Sequence, residues 1–260
     1  MALEALIWDV DGTLAETEEA HRHAFNRTFK EHGYDWEWSV AKYRQLLKVT
    51  GGVERITHYL KTENPNALPA DTSADIIKGL HKAKTANYVA SIENGEVPLR
   101  PGVARVMREA RDAGIRLAIA TTTSAPNVEA LINNCAEGVR MDWFDVVGCG
   151  NIVPKKKPAP DIYNWTLEHL KLKPTQCLAL EDSRNGLDSA RGAGIETVIT
   201  YSSYTDDQKF PEAIAVCDHF GEPGDPLRAV AGDFRGKKLI DVDLLRHWYA
   251  AAVVNKAAVG

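Results

Sequence analysis

The chain has 260 residues, a formal charge of −5, 26% charged side chains and four cysteines. That length holds one large core or two modest ones, and the acidic balance lacks the basic stripe that nucleic acid needs. Cys135, Cys149, Cys177 and Cys217 are too scattered for a disulfide framework or a zinc site, and no apolar run reaches the roughly 18 residues of a membrane span. The expectation is a cytoplasmic protein with no nucleic-acid and no membrane partner.

The opening MALEALIW has no basic leader and enters a strand pattern at once. LEALIWD, IRLAIATT, FDVVGCG, QCLALED and IETVITY are short apolar runs bounded by turn residues. Several lack alternation, which suits parallel strands buried on both faces. After the first run the spacing breaks. For about eighty residues no convincing strand occurs, too long a stretch for a simple crossover, and the pattern is helical over 15–32 (ending at Gly33), 39–48, 52–62 and 73–93. We read 15–96 as an inserted all-helical cap, entered at 14–16 and left through ENGEVPLRPG (93–102), where Gly95, Pro98, Pro101 and Gly102 suit a hinge. Helical patterns at 103–114, 125–135, 161–172 and 185–194 then alternate with the remaining strands. The fold class is therefore α/β: a doubly wound, Rossmann-like parallel sheet made from 1–14 and 97–235. Beyond about residue 205 the pattern weakens. GEPGDP (221–226) reads as loop, and DVDLLRHWYAAAVV (241–254) as a helix in a C-terminal extension, 236–260, packing on the core or on a second subunit. The expected state is a monomer, with a dimer open to it through this extension.

In open α/β sheets ligands bind beyond the carboxyl ends of the strands. Those ends carry Asp9 with Asp11, Thr121 to Ser124, Lys157 past a strand and its loop, and Glu181 with Asp182. Asp9 and Asp11 are two residues apart, on one side of an extended chain, and Gly12 permits a turn. Taken singly each has a plain reading: an Asp-Gly turn, a β-branched strand end, a turn at Glu181, solvated loop charges at Lys155 and Lys156. DxD alone also occurs in metal sites of glycosyltransferases. The longer string DVDGTL after an apolar strand resembles the haloacid dehalogenase superfamily of aspartyl phosphotransferases. That superfamily's four motifs fall in order on Asp9 and Asp11, on Thr121, on Lys157 in KKKPAPDIY, and on Glu181 and Asp182 in ALEDS, and its inserted helical cap matches the break in spacing.

The resemblance implies chemistry for each position. Asp9 is the nucleophile, which can approach phosphorus only if the phosphoryl charge is neutralised. Mg²⁺, a hard ion, is expected on Asp9, Asp182 and the Asp11 carbonyl, with Glu181 as a further ligand through water or as an orienting group. Thr121, Thr122 and Thr123 bind phosphoryl oxygens, helped by a helix capped at Ser124 and entered through Pro126. Lys157 supplies fixed positive charge. Asp11 is the acid that protonates the leaving oxygen and the base for the hydrolytic water.

The cap is expected to set specificity. Glu16, Thr17 and His21 follow the catalytic loop directly, the last two on one helical face; His21 or His23 could equally be a half-buried histidine. Gly51 and Gly52 before a helix offer bare amides to an anion, or form an ordinary turn. Arg55, Lys84, Tyr43 and Arg44 could complete a second phosphate site. Strings such as VTGGVERI, HKAKTANYV and IATTTSAPNVEAL resemble, over about residues 3–220, the superfamily's sugar bisphosphate phosphatases of the Calvin cycle. That implies a small phosphorylated sugar as partner and Mg²⁺-dependent hydrolysis of the 1-phosphate of xylulose 1,5-bisphosphate; the tail after about 225 lies outside the likeness. Two other readings stay open. A β-phosphoglucomutase would use the same Asp pair, although it usually carries an arginine where this chain has Gly51 and Gly52. A noncatalytic phospho-acceptor would keep its phosphate, which the base at Asp11 argues against.

Overall fold

A computed structural model describes residues 2–65, 67–68, 73–94 and 97–259, with only the backbone beyond 252. Among the described residues seven strands form one sheet in the order β3-β2-β1-β4-β5-β6-β7. They are β1 (Ala5–Trp8), β2 (Arg116–Ala120), β3 (Phe144–Gly148), β4 (Cys177–Glu181), β5 (Glu196–Thr200), β6 (Ala215–Cys217) and β7 (Ala229–Ala231). All neighbours are parallel except β6 and β7. The unalternating runs ALIW and CLALE are buried at every position, because helices cover both faces. Leu6 and Trp8 face a core shared with α5 (Val103–Asp112), α6 (Ala125–Asn134) and α9 (Val242–Val259). Ala5 and Ile7 face α7 (Asp161–Leu170) and α8 (Arg184–Gly192).

β1 is flanked by β2 on one side and β4 on the other. The chain thus winds away from β1 in both directions, and the crevice this opens lies at the carboxyl end of β1. Trp8 is level with Ile119 and Leu180, so the next residues are Asp9, Ala120 and Glu181. The doubly wound expectation holds. What it lacked is β6 and β7, each only three residues long and too short to show a period.

Between β1 and β2 stand α1 (Glu18–Glu31), α2 (Val40–Leu46), α3 (Gly52–Glu63) and α4 (Ser73–Glu93). They enclose a separate aromatic cluster that includes Phe25, Phe29, Trp36, Trp38, Tyr43 and Tyr59. Its tilted and edge-to-face pairs, such as Phe25–Trp38 at 4.6 Å and Phe29–Trp38 at 5.0 Å, suit rings packed around one tryptophan. The two crossings between these helices and the sheet run side by side, joined by an Ala15–Leu99 bridge and by Arg100 N donating to Leu14 O at 2.7 Å. Gly95, expected in the exit hinge, lies outside the described residues.

The first half of α9 packs on the core. Leu244, Leu245, Trp248 and Tyr249 are buried there. The Tyr249 hydroxyl donates to the carbonyl oxygens of Ala2 (3.0 Å) and Thr175 (2.6 Å), and Trp248 Nε1 donates to Asp233 O at 2.6 Å. No helix among the described residues is long and apolar enough to cross a membrane.

Candidate active site

The strand ends open into a cavity of about 800 Å³ between sheet and cap. On its floor, carboxylate oxygens of Asp9, Glu181 and Asp182 lie within 4.8 Å of one another, all three residues buried. Lys157 Nζ bridges two of them, 2.7 Å from Asp9 Oδ1 and 2.5 Å from Glu181 Oε1. Tyr163 OH donates to the same Glu181 oxygen at 2.6 Å, while Glu181 Oε2 is buried with no hydrogen-bond partner among the described residues. Burial pushes Asp182 well above the usual carboxylate range, reinforced by the charges of Asp9 and Glu181, and pushes Glu181 up to about 7. Asp9 is raised by burial too, against the pull of Lys157, whose own proton affinity these two carboxylates hold high against burial. One ammonium does not balance three buried carboxylates. A hard, oxygen-loving dication fits the remainder, and the unpartnered Glu181 oxygen fits the same donor set.

Asp11 is turned away from this cluster. Its Oδ1 accepts from Thr17 Oγ1 at 2.6 Å and pairs with His21 Nε2 at 3.0 Å. Thr17, the residue before α1, spends its hydroxyl on Asp11 and leaves the helix without a side-chain cap. Lys84 Nζ lies 2.6 Å from His21 Nδ1. Burial, then the Lys84 charge, lowers His21 to about 4, so the ring is neutral at pH 7 and accepts from Lys84 at Nδ1 while donating to Asp11 at Nε2. Burial alone would raise Asp11, but His21, Thr17 and the Lys84 charge reverse this and hold it well below the carboxylate range.

Thr121, Thr122 and Thr123 line the cavity beside Asp9, with Thr123 N donating to Thr121 Oγ1 at 3.3 Å. Opposite, the cap contributes Gly51, Gly52, Arg55 and Lys84. Gly51 is left-handed (φ 98°) and caps α3; a side chain on Gly52 would meet the His81 ring at 2.4 Å. Burial lowers Lys84 to about 7.

Other expected residues stand elsewhere. Glu16 is not on the cavity wall: it is exposed in the entry linker, 3.3 Å from Arg100 Nε and 3.0 Å from Ser203 Oγ. Glu18, two residues on, faces the cavity instead, pushed up to about 7 by burial. Tyr43 is behind the wall, donating to Glu18 at 2.9 Å and accepting from Arg55 at 2.9 Å. Arg44 lines the cavity but reaches across to the core loop, 2.7 Å from Asp206 and 2.6 Å from Ser203 O. Lys155 is exposed, as its plain reading had it, but Lys156 is not a solvated charge: it bridges to Glu54 of α3 at 2.8 Å. Asn127 and His81 also line the cavity and were missed. Asn127 stands three residues past the cap position Ser124, and His81 three before Lys84, spacings that place each pair on one helix face.

The haloacid dehalogenase-like hydrolase family matches residues 3–194. Protein CbbY of Rhodobacter capsulatus is 52% identical over 213 residues, 82% of this chain and 92% of that protein. The chain is a CbbY-family haloacid dehalogenase-like hydrolase. The plasmid-borne CbbY of Cupriavidus necator is 41% identical over 257 residues, covering 97% of this chain and 99% of that protein. The likeness therefore extends through the tail, past the limit near 225 that the sequence motifs suggested. A crystal structure of a mutant CbbY from Rhodobacter sphaeroides in complex with xylulose-(1,5)bisphosphate superposes with a TM-score of 0.78 at 47% identity, covering 85% of this chain and 96% of that one.

Proposed function

We propose that this CbbY-family enzyme hydrolyses the 1-phosphate of xylulose 1,5-bisphosphate through an aspartyl phosphate at Asp9, with Mg²⁺ as cofactor. The observation that carries this reading is the polarity of one cavity: an acidic, lysine-bridged floor at Asp9 faces a cap wall of Arg55, Lys84 and the Gly51–Gly52 amides. A substrate with a phosphate at each end matches both walls. The ligand of the Rhodobacter sphaeroides relative has this chemistry.

Asp9, Asp182 and Glu181 would hold Mg²⁺ with the Asp11 carbonyl, and the ion supplies the positive charge that lets a phosphoryl dianion approach a carboxylate. Lys157 orients Asp9 and pulls it towards the ionised form against burial. Asp9 attacks phosphorus while the C1 oxygen leaves. Asp11 gives a proton to the leaving oxygen; that step needs the protonated carboxyl, and a dianionic ester beside it raises its proton affinity against the pull of His21, Thr17 and Lys84. Xylulose 5-phosphate departs. Asp11, ionised again, takes a proton from water as the water attacks phosphorus, and Asp9 and inorganic phosphate are released. His21 and Thr17 keep the Asp11 carboxylate aimed through both halves.

The direct test is Asp9→Asn in a Mg²⁺-dependent phosphate-release assay over sugar mono- and bisphosphates. The expected outcome is a loss of about 10³-fold or more in kcat, with acid-stable labelling by radioactive substrate seen only in the wild type. Near-normal release by this variant would refute the mechanism, and a preference for monophosphates would refute the bisphosphate assignment.

A further inference from the structure

Arg100 occupies the seam where the cap's exit linker meets α5, and only 7% of it is exposed. Its terminal nitrogens donate to four backbone carbonyls: NH1 to Gly12 and Thr200 (2.8 Å), NH2 to Tyr201 (2.7 Å) and Asp218. Nε stands 3.3 Å from Glu16. Gly12 follows Asp11 in the catalytic turn, whereas Thr200, Tyr201 and Asp218 lie at or just beyond the ends of β5 and β6. A planar fork with five fixed donors can join these elements at once; an ammonium cannot. The guanidinium is absent from the cavity wall.

Two routes lead from it to Asp11. One is the backbone, through the Gly12 carbonyl. The other is the entry linker: Glu16, held by Arg100 and Ser203, precedes Thr17, whose hydroxyl donates to Asp11. Asp11 thus sits in a turn whose far side is held by one buried cation, which also holds the linker that carries Thr17, one of the two donors to Asp11.

We propose that Arg100 is a positioning residue for Asp11, tying the catalytic turn and both cap linkers to the sheet without touching substrate. This rests on the assignment of Asp11 as the acid and base. The experiment uses p-nitrophenyl phosphate, which needs no sugar recognition, with full-length wild type, Arg100→Lys and Glu16→Gln, each assayed well below its melting temperature and normalised to folded protein. R100K is expected to lose at least tenfold in kcat with KM changed less than threefold, and E16Q to lose about threefold in kcat with KM steady. Millimolar guanidinium is expected to restore part of the activity of Arg100→Ala. A merely structural Arg100 would lower the melting temperature and leave kcat per folded enzyme within twofold, which overturns the proposal. If R100K does not fold, wild-type kcat in E16Q overturns it instead, since E16Q leaves the four carbonyl contacts in place. If the wild type is inactive on this ester, the same variants are compared on xylulose 1,5-bisphosphate by the same criteria; a wild type inactive on both would refute the phosphatase reading itself, not the role of Arg100 within it.

Discussion

Gly186 carries no side chain because Glu181 occupies the space one would need. A Cβ there would lie 1.8 Å from Glu181 Oε2, on a carboxylate already fixed by Lys157 and Tyr163. Gly186→Ala is therefore expected to displace Glu181 and weaken the oxygen cluster it shares with Asp9 and Asp182. The Mg²⁺ concentration for half-maximal phosphate release should rise about tenfold, equal to about 1.4 kcal/mol, in a protein that still folds; an unchanged midpoint would show that Glu181 does not support the ion. At this scale the sequence was most legible where covalent spacing decides geometry. Asp9, Thr121, Glu181 and Asp182 end strands or directly follow them, so the sheet register alone assembles them. The cap side was less legible because a helix residue's direction depends on where its first turn begins. α1 starts at Glu18, so Glu18 faces the cavity and Glu16 remains in the linker. Lys156 was misread for a related reason: its partner Glu54 is 102 positions away, and nothing local marks it.

The elements explain how cap and core meet. α3 presents its amino end to the cavity, and Glu54 in its first turn takes the Lys156 ammonium from the loop that also carries Lys157. Asn185 at the start of α8 donates to Thr50 at 3.1 Å beside it. The Lys156 side chain is 17% exposed and the Glu54 side chain 46%, so solvent screens the pair and its worth stays below about 1 kcal/mol. Glu54→Gln should accordingly raise KM for the bisphosphate about threefold, within that energy, and leave kcat nearly unchanged; added salt should shrink the difference. Equal kinetics at low salt would mean that this bridge does not help hold the cap against the core. The longer core elements were readable from apolar runs and their alternation with helices. β6, β7 and the seating of α9 were not, because three-residue strands have no period and a terminal helix does not name the surface it covers.

For the whole molecule, the separation of charge across the cavity decides what binds. The floor holds a carboxylate cluster that calls for a cation, and the opposite wall holds Arg55 and Lys84, a lysine that burial has brought close to losing its proton. A ligand with one phosphate satisfies the floor alone. A bisphosphate also keeps Lys84 charged, so it should stabilise the folded chain from both walls of the cavity. With Asp9→Asn to prevent turnover and Mg²⁺ present, xylulose 1,5-bisphosphate at about a hundred times its Kd should add about 2.7 kcal/mol. For a chain of this size that is a rise of about 5 to 10 °C in melting temperature. At the same concentration xylulose 1-phosphate, which keeps the reacting phosphate but lacks the one that faces the cap wall, should give a much smaller rise. The excess for the bisphosphate should fall as ionic strength increases, because part of it comes from charge across a cavity open to solvent. Equal shifts for the two sugars would place the second phosphate outside the cap wall and leave Arg55 and Lys84 to serve the fold and Asp11 alone.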